Sequence, residues 1–101
     1  MIVVWTRKAE QQLDQIFDYI SLDSTLYAYR TVEKIIEQAE SISQHPRKGR
    51  KVPEFEREDI REVFHHPYRI IYLIKHDRIE IVSVIHGARL LPDTPEKKQL
   101  V

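Results

Sequence analysis

The 101-residue chain has no cysteine and only two glycines, Gly49 and Gly87. Without a thiol there can be no disulfide framework and no zinc–thiolate site. Two isolated glycines cannot form a glycine-rich phosphate loop or a dinucleotide fingerprint. No apolar run approaches the ~20 residues that a bilayer span requires. The opening Met1-Ile2-Val3-Val4-Trp5 is too short for a secretory h-region and lacks a basic leader. Together these absences predict a cytoplasmic protein. Charge of one sign is missing too: sixteen basic residues face sixteen acidic ones. A generic nucleic-acid binder would be strongly basic. The balance conceals an offset, because residues 1–44 carry four basic and seven acidic residues, and residues 45–101 carry twelve and nine.

What is present describes one ordinary globular domain, 42% apolar and 32% charged. Ile2-Val3-Val4-Trp5 reads as a first strand. Thr6 can cap a helix by accepting a backbone N–H. Ala9, Leu13, Ile16, Phe17 and Ile20 then fall on one helical stripe, which predicts a helix over 7–21. Asp23 or Ser24 can cap a second helix over 24–44, whose stripe is Tyr29, Val32, Ile35, Ile36, Ala39 and Ile42. His45-Pro46 stops it, because a residue preceding proline is driven out of the helical region. A basic loop, Arg47-Lys48-Gly49-Arg50-Lys51, follows. Three strands are predicted over 57–65, 68–75 and 78–86, joined by short turns that favour antiparallel hairpins. The order is β-α-α-β-β-β: an α+β fold with a helical hairpin packed on a mainly antiparallel four-stranded sheet. Residues 1–91 form the expected domain, and 92–101, broken by Pro92 and Pro95, form a tail.

Few residues suggest chemistry. The five histidines lack ligand spacing: His65 and His66 are adjacent on a strand end and point to opposite faces, and no His-x-x-x-His pair sits on a helix. No metal and no cofactor are expected. There is no Gly-x-Ser-x-Gly elbow, and Ser83 within the last strand reads as a packed small residue. Trp5, Tyr68 and Tyr72 read first as core. The arginines are more informative. Arg61, Arg69 and Arg89 lie in or just after predicted strands, where an unpaired charge is costly to bury. On one sheet face, with Lys51 or Arg50 nearby, they would grip phosphates or the carboxylates of a partner. His86 would then sit ready as a proton donor or acceptor. Equally, Arg61 and Arg69 would pair with Glu62 or Glu80 across strands. Gly87 ends the last strand and permits either a positive φ or a close backbone approach.

The ordered set Trp5-Thr6 with Ala9 and Leu13, Ile16 with Tyr19-Ile20, His45-Pro46 with Gly49, Arg61-Glu62, Tyr68-Arg69-Ile70 with Tyr72, and Val84-Ile85-His86 with Arg89 resembles the RelE/ParE superfamily of toxins. These are the toxins of bacterial type II toxin–antitoxin systems, and the resemblance spans about residues 2–91. It implies a growth-arresting toxin, of the kind associated with plasmid stabilisation, neutralised by a cognate antitoxin whose disordered C-terminal region folds onto the helices and sheet. Any contact with DNA would come through the antitoxin. The Tyr-Arg-Ile-Ile-Tyr run and the His-Gly-Ala-Arg strand end look like the ParE branch, which inhibits DNA gyrase without catalysis. The tail after Leu91 has neither the aromatic residue nor the histidine typical of RelE-like nucleases. The alternative is a ribosome-dependent mRNA endonuclease in which Arg61 and Arg69 hold RNA and His86 assists attack of the 2′-hydroxyl. The target-contact candidates are Lys51, Arg61, Arg69, His86 and Arg89.

Overall fold

A computed structural model describes residues 1–87. The predicted tail and Arg89 lie outside the described residues. Strand β1 (Ile2–Trp5) leads into helix α1 (Arg7–Ser21), and α2 (Thr25–Glu40) returns beside it. The strands β2 (Arg50–Lys51), β3 (Ile60–His65), β4 (Tyr68–Ile74) and β5 (Arg78–His86) follow. The fold is α+β as expected, but the sheet has five strands, in the order β1-β5-β4-β3-β2. All neighbours are antiparallel except β1 and β5, which run parallel. The additional strand is the two-residue β2, inside the segment read as a basic loop; two residues carry no periodicity.

Both caps follow from side-chain chemistry. Thr6 Oγ1 accepts the Ala9 N–H at 3.2 Å and also donates to the Ile81 carbonyl at 3.0 Å, so one hydroxyl starts α1 and ties it to β5. Ser24, rather than Asp23, caps α2 by accepting the Tyr27 N–H at 3.1 Å. Helix α2 stops at Glu40, four residues short of the expected end. Beyond it the backbone tightens, with Ile42 N–H reaching the Ala39 carbonyl and Ser43 N–H the Glu40 carbonyl. Two serines explain the change, since serine side chains compete for backbone partners. Ser41 Oγ donates to the Gln38 carbonyl at 2.6 Å, and Ser43 Oγ donates to the Met1 carbonyl at 2.8 Å. The Met1 ammonium in turn donates to the Ser43 carbonyl at 2.9 Å. Strand β3 begins at Ile60 rather than 57, because Phe55 and Glu56 turn back to the Val52 carbonyl and Arg57 pairs locally with Asp59.

The sheet is covered on both faces. Against the helices lie Val63, Tyr68, Ile70, Tyr72, Ile79, Ile81 and Val84, packed with Ala9, Ile35, Ala39 and Ile42. On the other face Ile60, Ile71, Leu73, Val82 and Ile85 are closed over by Val52 and Phe55 from the segment after β2. This is why β4 is apolar at nearly every position: both alternations are buried. Strand β5 carries a bulge. Ile71 pairs with Ser83 and Tyr72 with Ile81, leaving Val82 as the extra residue.

Candidate functional site

Strand alternation separates the arginines that the sequence reading brings together on one sheet face. On β3, Ile60, Glu62 and Phe64 face the loop-covered side, whereas Arg61, Val63 and His65 face the helix side. Arg69 lies opposite Phe64 and therefore shares the face of Glu62, not that of Arg61.

Arg69 is almost fully buried and fully engaged. Its Nε donates to Glu62 Oε1 at 2.6 Å, and Nη1 and Nη2 each donate to Glu54 at 2.9 Å. Glu62, whose side chain is 0% exposed, also accepts from Arg50 Nε at 2.7 Å. Arg50 lies over the Phe64 ring at 5.0 Å. The hydrogen bonds that Arg69 donates to Glu54, followed by the one to Glu62, raise the already high pKa of its guanidinium, against the opposing effect of burial. The sequence allowed an Arg69–Glu62 pair, and it is present. Glu80, the other partner considered, binds Arg78 and Lys75 instead.

Arg61 lies on the opposite side. Nη1 donates to the Gly49 carbonyl at 2.8 Å, Nε to the Glu58 carbonyl at 3.0 Å, and Nη2 to Glu58 Oε2 at 2.9 Å. Lys51 is its β2 neighbour in register and pairs with the same Glu58 at 3.3 Å, so these two predicted contact residues do come together. Gly49 itself is fixed. Its N–H donates to the Tyr72 hydroxyl, and a Cβ there would collide with the Glu62 carbonyl and come within 2.7 Å of that hydroxyl. Gly87 is also a close approach, not a positive φ: a Cβ would meet the Pro67 carbonyl at 2.9 Å.

His86 is remote from Arg61, and although it follows Ile85, the register partner of Arg69, strand alternation puts it on the opposite face from Arg69. It pairs with Tyr68, whereas Arg61 pairs with Tyr72, four residues further along β4. Four residues of strand and two strand spacings amount to roughly 16 Å, too far for Arg61 and His86 to hold one phosphate. His86 instead meets the Tyr68 ring edge-on at 5.9 Å. Burial pushes the Tyr68 hydroxyl up in pKa, with smaller contributions from Tyr27 and Tyr19. Tyr19, Tyr68 and His86 border a groove of about 430 Å³ between α1 and the end of β5, lined also by Gln12, Gln15 and Ile16. Pairing with β1 ends at Ile81, so beyond the bulge this edge of β5 has no neighbouring strand among the described residues. Gln12 partly replaces one, its Oε1 accepting Val84 N–H at 2.8 Å and Ser83 Oγ at 3.1 Å. Around the groove the hairpin exposes Tyr19, Leu22, Leu26, Tyr27 and Tyr29, with Leu22 83% exposed.

Among the described residues no group of three or more His, Asp or Glu side chains is arranged to hold a metal ion. No described helix is long and apolar enough to cross a membrane. The sequence reading missed Gln12, Glu54 and Glu58. All three look like ordinary surface polar residues, and only contacts distant in sequence distinguish them.

A helical hairpin on a mostly antiparallel five-stranded sheet is the architecture of RelE/ParE superfamily toxins. The model of the family described as "ParE toxin of type II toxin-antitoxin system, parDE" matches residues 3–91, and the chain belongs to that family. It is similar to Toxin RelE2 of Caulobacter vibrioides, 36% identical over 88 residues that cover 87% of this chain and 97% of that toxin. Among solved structures it resembles a chain of the chromosomal ParDE system from P. aeruginosa, with a TM-score of 0.72 and 29% identity, covering 85% of this chain and 95% of that one. A chain of the RelBE2 toxin–antitoxin complex from Mycobacterium tuberculosis shares the fold, with a TM-score of 0.62 and 23% identity over 87% and 92%.

Proposed function

We propose that this type II toxin arrests growth by binding DNA gyrase, without catalysis of its own, and that a cognate antitoxin neutralises it. One observation carries the gyrase reading. Arg61 and Arg69 lie on opposite faces, each engaged by internal partners, and His86 stands apart from Arg61. A ribosome-dependent nuclease needs a base or acid within hydrogen-bond reach of the group that it deprotonates or protonates. The surface that contacts gyrase includes Lys51, the exposed cation beside Arg61. The antitoxin covers the exposed apolar residues of the hairpin and the groove beside β5, the large unsatisfied surface of the molecule. Both partners place the toxin in the cytoplasm.

The test is to express the chain without its antitoxin and follow DNA and protein synthesis over the first minutes. DNA synthesis should stop first, and His86→Ala should remain toxic. If translation stops first and mRNA ends accumulate at ribosomes, the nuclease reading replaces this one.

A further inference from the structure

The helical hairpin has a second apolar side, away from the groove beside β5. Helix positions two apart point in nearly opposite directions. Phe17 and Tyr29 therefore turn away from Tyr19 and Tyr27, which approach Tyr68. Phe17 and Tyr29 meet edge-on across the two helices, with ring centroids 4.9 Å apart. Toward the start of α1 and the end of α2, Trp5, Leu13 and Ile36 line a cleft of about 240 Å³ together with Glu10 and Asp14. Tyr29 and Ile36 are both exposed. Glu33 and Glu40 lie one turn before and one turn after Ile36 on α2. Among the described residues neither Glu10 nor Asp14 has an ion-pair partner, not even Arg7, one turn before Glu10. The result is an apolar cleft with an acidic rim.

The loop after α2 carries the opposite charge. Arg47 and Lys51 share a single carboxylate, Glu58, with Arg61. Lys48 Nζ donates to Ser41 Oγ at 2.8 Å, a neutral partner that leaves its charge in place. Arg50 shares Glu62 with Arg69. The side chains of Arg47, Arg50 and Lys51 are all more than half exposed. Each of these cations stands on a long apolar stem. Such a side chain suits both parts of the cleft: the stem packs on Leu13 and Ile36, and the head meets the Glu10 and Asp14 carboxylates beside the Trp5 ring. A second hairpin laid in the same cleft would set carboxylate against carboxylate. The contact therefore joins unlike surfaces, and both of them are present on every copy of a chain whose formal net charge is zero.

We propose that two copies of this chain associate by seating the basic loop of one, from Arg47 to Lys51, in the acidic cleft between α1 and α2 of the other. The contact is weak and salt-dependent, because exposed ion pairs are screened by water and counterions. It goes beyond the target and antitoxin readings: it leaves the groove beside β5 open and holds whichever macromolecule the toxin acts on.

Sedimentation velocity of the purified full-length chain over a concentration series, at low salt and at about 1 M salt, tests this. The chain should associate at low salt, at least about tenfold more tightly than at high salt. Glu10→Lys with Asp14→Lys should abolish association, and so, separately, should Arg47→Glu with Lys48→Glu. Mixed in equal amounts, the two variants present opposite charges to each other and should associate again. Lys8→Glu with Lys34→Glu, which changes total charge as much as the second pair but lies off both surfaces, should behave as the parent. Circular dichroism checks folding, and Asp14→Lys or Lys48→Glu alone replaces a pair that does not fold. The proposal is overturned if the parent is monomeric at low salt, if its association is indifferent to salt, if either charge-reversed variant behaves as the Lys8 and Lys34 control, or if the mixture associates no better than its parts.

Discussion

Tyr72 and Gly49 are locked together across 23 residues of sequence, with the Gly49 N–H donating to the buried Tyr72 hydroxyl at 2.9 Å. The same hydroxyl donates to the Pro46 carbonyl at 2.7 Å. Tyr72→Phe therefore leaves two backbone groups of the basic loop without partners. An unsatisfied buried group costs about 1–3 kcal/mol, which for a chain of this size lowers Tm by roughly 4–8 °C per kcal/mol. Calorimetry of the variant measures the loss. The Gly49 amide should also exchange with solvent faster than in the parent.

Alkaline stability should depend on two tyrosines. Burial raises the Tyr72 pKa, partly opposed by the Gly49 N–H and Arg61, and burial also raises that of Tyr68. A raised folded-state pKa means that the unfolded chain releases its proton first. The stabilisation is complete below the unfolded value of about 10 and is lost as pH rises through the higher folded values. Urea midpoints should accordingly fall from about pH 10 upward. Tyr72→Phe should flatten this alkaline limb while lowering stability at neutral pH. An alkaline slope unchanged by the substitution would contradict this account.

Arg69→Met should be among the most damaging single substitutions. It leaves the buried Glu62 carboxylate to its pairing with Arg50. Breaking a buried pair from one side costs about 3–5 kcal/mol, whereas replacing both partners with apolar groups can be nearly neutral. The double variant Arg69→Met with Glu62→Met should therefore be more stable than Arg69→Met alone, as read by denaturant midpoints. If the double variant is the weaker protein, the pair contributes more than its removal from one side implies.

The exposed hairpin residues should separate stability from antitoxin binding. Leu22 and Leu26 are largely solvent-exposed, so Leu22→Asp with Leu26→Asp should change folding by less than about 0.5 kcal/mol. Titration with the antitoxin should show affinity reduced by at least about tenfold, the scale of losing a buried contact worth 1.4 kcal/mol. Unchanged affinity would move the docking surface away from the hairpin tip.

The element order was legible because it rests on periodicity. The stripe through Leu13, Ile16 and Ile20 and the doubly apolar run from Tyr68 to Ile74 specify a helix and a buried strand. The arginine arrangement was only partly legible. Alternation alone places Arg61 and Arg69 on opposite faces once the hairpin register is known, but an aperiodic sequence does not announce that register. The Arg69–Glu54 fork depends on the segment from Val52 to Asp59 folding over the sheet, and nothing periodic in that segment predicts it. Strand β2 escaped notice because it is two residues long. The end of α2 was overestimated because its apolar stripe runs on to Ile42, while the hydrogen bonds of Ser41 and Ser43 decide where the helix stops.

The parallel pairing of β1 with β5 also has a temporal meaning. Ile2 pairs with Arg78 and Trp5 with Ile81, so the first strand has no sheet neighbour until the last one exists. At a synthesis rate of about 5–20 residues per second, the 76 residues separating Ile2 from Arg78 take roughly 4–15 s to add. Throughout that interval β1 and the sheet-facing stripe of α1 lack the surface they finally cover. The described sheet is thus closed only when β5 has been made, so its first strand waits on its fifth.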